Sequence, residues 1–105
     1  MIAVESIGGQ VQFDGQTVTI RRTSRMAKST LGTADTIIPI GHIGAVEWTE
    51  PRWYKAGHIR FAIAGSQSAA SPTPVNRDRN AVIFGKKELP AFEKLRLAVQ
   101  DAISR

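Results

Sequence analysis

Ala81-Val82-Ile83-Phe84-Gly85-Lys86-Lys87-Glu88-Leu89-Pro90-Ala91-Phe92-Glu93-Lys94-Leu95 decides the fold. Its first four residues are apolar and β-prone, and read as a strand. A short basic link, residues 85–90, follows. Phe92, Leu95, Val99 and Ile103 then recur at steps of three and four, which puts them on one stripe of a helix running nearly to Arg105. Ala91, Ala98 and Ala102 fall at the margin of that stripe. Pro90 suits the first turn, where a missing N–H has no intrahelical partner to lose. Leu97 faces the other way and is a candidate subunit contact, although single exposed leucines are ordinary.

Upstream, the pattern changes to a period of two. Val11 and Phe13 alternate with Gln10 and Gln12, and Thr17-Val18-Thr19-Ile20-Arg21 returns with Val18 and Ile20 on the buried face. Between them, Asp14-Gly15 is a tight hairpin signal because both residues tolerate positive φ. Thr36-Ile37-Ile38-Pro39-Ile40 reads as a strand that is short or lies at an edge, since Pro39 has no N–H for a ladder. Gly41 gives a turn, and residues 43–48 form the next strand. Residues 50–57 are a connector carrying Trp53 and Tyr54. His58-Ile59-Arg60-Phe61-Ala62-Ile63-Ala64 alternates with Ile59, Phe61 and Ile63 inward. Residues 21–35 are polar and basic. Residues 65–80 are rich in Ser, Ala and Pro, and both stretches read as long loops. The fold class is therefore mainly β: a sandwich or partly open barrel of about seven antiparallel strands with one C-terminal α-helix as a cap.

The 105 residues suit a single domain, 1–105, with one core. An apolar fraction of 42% argues against a disordered chain. The absence of cysteine removes disulfides and thiolate metal sites. Met1-Ile2-Ala3-Val4-Glu5-Ser6 has no basic region followed by a long apolar run, and no segment has the length of a membrane span. A soluble, cytoplasmic protein is the expectation. Fourteen Lys and Arg against nine Asp and Glu give a net charge of +5. That balance favours polyanions weakly and equally serves solubility.

In this order, the blocks resemble the bacterial pleckstrin-homology-like domains, and more closely an uncharacterised family of them from actinobacteria and their phages. The stretches that carry the resemblance are residues 11–22, Ile38-Pro39-Ile40 with Ile43 and Val46, residues 57–61, residues 81–87 and residues 90–95. The resemblance implies a fold more firmly than an activity. It implies domains that occur in tandem or fused to short C-terminal modules, whereas one copy without an appended module is expected here. It also implies a tendency to self-assemble into rings.

Two clusters are candidate sites. The first is Arg21, Arg22, Arg25 and Lys28, running from the return strand into the loop after it. Several cations on one loop can hold a polyanion, and Arg offers bidentate contacts to phosphate. The resemblance implies phosphoinositide binding near this loop in eukaryotic relatives, but their compact spacing is not reproduced. A solvated hairpin tip is the plainer reading. The second cluster is Arg52, Trp53, Tyr54 and Lys55, with Leu97 as a separate contact. Trp, Tyr and Arg favour a protein interface; packing of the connector ranks next, and stacking of single-stranded bases third. Trp48 is assigned to the core or to a half-buried strand end.

Catalytic chemistry finds no foothold. His42 and His58 have no second ligand at metal spacing. The serines at 24, 29, 66, 68 and 71 lack a nucleophile-elbow pattern. Asp14, Asp35, Glu47 and Glu50 form no convincing acid–base pair. Gly8-Gly9 is too short for a phosphate loop, and Lys86-Lys87 reads as solvated surface charge. No cofactor, metal or catalytic residue is assigned. The expectation is a non-enzymatic protein-interaction or self-assembly module, whose partner is another protein or a second copy. The alternative is an anionic ligand, a lipid headgroup or nucleic acid, on the basic loop.

Overall fold

The computed structural model describes residues 1–22, 35–64 and 80–105. Among them, seven strands form two antiparallel sheets. The first sheet runs in chain order: β1 (Ile2–Ser6), β2 (Gly9–Phe13), β3 (Thr17–Arg21) and β4 (Thr36–Pro39). The second holds β5 (Ile43–Thr49), β6 (Gly57–Ile63) and β7 (Ala81–Phe84). A short 3-10 turn, Ile40–His42, carries the chain from one sheet to the other. A second, Lys86–Glu88, leads into the single long helix α1 (Leu89–Ser104). The sheets do not close into a barrel.

Alternation explains which faces meet. In β2 and β3, Val11, Phe13, Val18 and Ile20 are buried, with Val11 opposite Ile20 and Phe13 opposite Val18 in register. In the second sheet Ile59, Phe61, Val82 and Phe84 are buried. The helix fills the space between with Phe92, Leu95 and Val99, all fully buried, and Ile103 packs at the edge of the same cluster. Phe92 stacks on Phe84 with ring centroids 4.6 Å apart, and Phe84 meets the half-buried Trp48 at 5.0 Å. Of the expected marginal alanines, Ala98 and Ala102 pack against the core, while Ala91 is exposed. Pro90 sits in the first helical turn.

Pro39 ends a four-residue strand whose only strand neighbour among the described residues is β3. A residue that cannot donate to a ladder is tolerated there. The β2–β3 turn differs from the tight form that Asp14-Gly15 implies. Gly15 takes φ +99°, but Asp14 does not adopt positive φ. Its carboxylate instead accepts the N–H groups of Gln16 at 2.9 Å and Thr17 at 2.8 Å, an Asx turn that closes a longer loop. Those two donors hold the Asp14 carboxyl below the usual carboxylate value.

Strand β1 is absent from the sequence reading. Its pattern is short, and only Val4 of its five residues is buried, so the periodic signal is weak. Pairing supplies what periodicity lacks: β1 lies in register along β2 from Ile2 opposite Phe13 to Ser6 opposite Gly9. Ser6 then ties the two sheets together, its Oγ donating to the Ile83 carbonyl at 2.5 Å.

Candidate functional site

The connector between β5 and β6 folds as a tight turn of its own. The N–H of Arg52 donates to the Lys55 carbonyl at 2.7 Å, and the Lys55 N–H donates back to the Arg52 carbonyl at 3.2 Å. These two residues form an isolated antiparallel bridge, with Trp53 and Tyr54 at the bend between them. Neither aromatic reaches the core. Trp53 is 85% exposed and Tyr54 64% exposed, and they pack edge to face with centroids 5.1 Å apart. Rings held against each other lose fewer rotamers when a partner immobilises them.

Two residues anchor this tip. Pro51 is buried beneath it. Gly57 opens β6 so close to the chain entering the turn that a Cβ there would overlap the Thr49 carbonyl oxygen and lie 2.5 Å from the Pro51 nitrogen. Only glycine permits that approach. The register then brings in a distant segment. Gly57 pairs with Phe84, so the start of β6 lies beside the end of β7, and the residues after β7 emerge next to the aromatic turn. An open depression of about 390 Å³ results, lined by Pro51, Arg52, Trp53 and Tyr54 of the turn together with Lys86. Thr49 and Glu50 complete its lining.

Charge at this end is uneven. Arg52, Lys55, Lys86 and Lys87 are all exposed, and none has a carboxylate partner among the described residues. Several other described cations are paired. Arg21 pairs with Asp35 at 3.3 Å, Arg60 with Glu47 at 2.7 Å and Arg105 with Asp101 at 2.6 Å. Glu88, close in sequence to Lys86 and Lys87, spends Oε1 on the Gly85 N–H at 3.0 Å.

Of the first basic cluster, Arg21 and Arg22 lie among the described residues. Arg22 is 5% exposed and turns inward, away from any ligand. Its guanidinium donates to the Gly8 carbonyl at 2.9 Å and to the Ala81 carbonyl at 3.0 Å, locking the β1–β2 turn to the start of β7. A planar fork can serve two carbonyls at once, and their bonds repay its desolvation. Arg21 is exposed but tied to Asp35. Arg25 and Lys28 lie outside the described residues, as do most of the two long loops expected at 21–35 and 65–80.

Of the expected interface residues, Arg52, Trp53 and Tyr54 come together at the depression. Leu97 is 55% exposed on the outer face of α1 and does not line it. Lys86 is the site residue that sequence reasoning passed over as solvated charge. Its nearness to Trp53 follows from pairing β5, β6 and β7 as consecutive antiparallel strands, which puts the β5–β6 connector and the exit of β7 at one end. Among the described residues no group of His, Asp and Glu could hold a metal ion. No described helix is long and apolar enough to cross a membrane.

No curated protein and no solved structure matches this chain. A family model does, over residues 11–100, from β2 to near the end of α1. The chain belongs to the family described as a domain of unknown function, DUF4429.

Proposed function

We propose that this chain is a non-enzymatic protein-interaction or self-assembly module, acting in the cytoplasm, with the Trp53–Tyr54 turn as its contact surface. The observation that carries the reading is the exposure of both rings on a turn closed by reciprocal backbone bonds. Large aromatics beside an arginine are the residues that anchor protein contacts. With Trp53 85% exposed, most of its large apolar surface is open to a partner. The order of four strands, three strands and a closing helix supports a pleckstrin-homology-like fold of the kind found in actinobacteria and their phages. Leu97 offers a second, smaller contact. The alternative, an anionic ligand on the first basic loop, loses Arg22 to the interior and has Arg21 already paired.

A photo-crosslinking residue in place of Tyr54 tests this reading in the expressing cell, alongside light scattering of the purified chain over a range of concentrations. A discrete adduct, or concentration-dependent mass, that disappears in Trp53→Ala is the expected result. A monomer at every concentration together with no adduct rules the reading out.

A further inference from the structure

We propose that the depression beside the Trp53–Tyr54 turn docks an acidic peptide segment of another protein. An apolar side chain of that segment lies against Pro51 and Trp53, and its carboxylates meet Arg52 and Lys86. This rests on the turn being a contact surface and names what it contacts. Charge complementarity identifies the occupant. Arg52 and Lys86 line the depression against one carboxylate, Glu50; Lys55 is bridged to Arg52 and Lys87 follows Lys86, and none of these four cations has a carboxylate partner among the described residues. An acidic segment supplies the missing counter-charges, and partial desolvation in the depression strengthens each pair beyond its value on an open surface.

The same charges disfavour a second copy as the occupant. A two-fold interface through this surface sets the patch against itself, cation to cation, in a chain of net charge +5. Single-stranded nucleic acid fits less well too. Successive bases need ring faces presented as a platform, whereas Trp53 and Tyr54 are inclined at 74° and cover part of each other.

Fluorescence anisotropy with the whole chain tests the assignment. The probe is a labelled peptide of alternating Glu and Leu, run beside its Gln-for-Glu analogue and an oligothymidylate. Saturable binding of the Glu peptide is expected, weakening as salt screens the pairs. The Gln analogue, and the variants Trp53→Ala and Lys86→Glu, should each bind about tenfold more weakly. Both variants should melt as the wild type does, since both side chains are exposed. A Lys-for-Glu peptide should regain affinity for Lys86→Glu relative to wild type. Equal binding of the Gln analogue, tighter binding of oligothymidylate, or no binding of the Glu peptide overturns the proposal. If the Glu peptide fails while crosslinking at position 54 still depends on Trp53, only the acidic partner is lost. If the Trp53 dependence is absent as well, the contact surface falls with it.

Discussion

Two polar residues that do not line the depression show how single side chains hold this fold. Arg22 carries a buried positive charge whose donors serve the Gly8 and Ala81 carbonyls. Arg22→Met keeps the apolar stem but leaves those carbonyls without a donor, and should cost about 2–4 kcal/mol in urea unfolding. Arg22→Lys, a point charge without the fork, should cost less but not nothing. A neutral Arg22→Met would mean that the lock contributes no stability. Asp14 works at the surface and through pH. Its folded carboxyl titrates below the ordinary value of 3.8 because the Gln16 and Thr17 N–H groups favour the ionised form. The stability it adds is therefore fully present above that ordinary value, and is lost as pH falls through the lower, folded one. The gap in melting temperature between wild type and Asp14→Ala should be constant near neutrality and shrink below pH 3.8. A gap that persists in strong acid would point to the turn's shape rather than the carboxylate's charge. The alternation that buries Val18 and Ile20, carried on, puts Arg22 on the inner face and Arg21 on the outer one, but gives Arg22 no partner. The carbonyls it meets are contributed by residues 8 and 81.

At the scale of elements, the helix was the most legible part of the chain. Its stripe is read from spacing alone, and Phe92, Leu95 and Val99 are indeed fully buried. Phe92→Ala removes a ring stacked on Phe84 and opens a cavity at the meeting point of both sheets, so a loss of about 3–5 kcal/mol is expected. Leu97→Ala on the opposite face should stay within about 0.5 kcal/mol. Chemical denaturation of the pair checks the assignment of faces, and a reversal of their order would contradict it. Strand β1 was illegible for the opposite reason. It owes its place to backbone pairing with β2 and to the Ser6 bond to Ile83, and neither leaves a periodic trace. The connector falls between these cases. Its aromatics stand out in the sequence, but the reciprocal bonds of Arg52 and Lys55 that push them outward do not. Lys86 joins them only once the strands are paired.

For the whole molecule, the question is whether two open sheets behave as one cooperative unit. Each sheet keeps its own ladder, and among the described residues Ser6 to Ile83 and Arg22 to Ala81 are direct links between them. What unites them is a single apolar cluster. Val11, Val18 and Ile20 from one sheet, Ile59, Phe61 and Phe84 from the other, and the buried face of α1 all belong to it. Neither sheet can shed the helix without exposing its own inner face, so their stabilities are coupled through Phe92 and Leu95. Native-state hydrogen exchange makes this testable. The amides of β3 and β6, each flanked by strands on both sides, should be the slowest, and should converge on one opening free energy as denaturant is added. Those of β4, with β3 as its only described strand neighbour, should exchange by smaller openings. If β6 and β3 instead kept separate limiting values, the two sheets would be independent units and the helix would belong to one of them. In Phe92→Ala, the common value should fall for both sheets together, because the deleted ring belongs to the one cluster that residues of both sheets form.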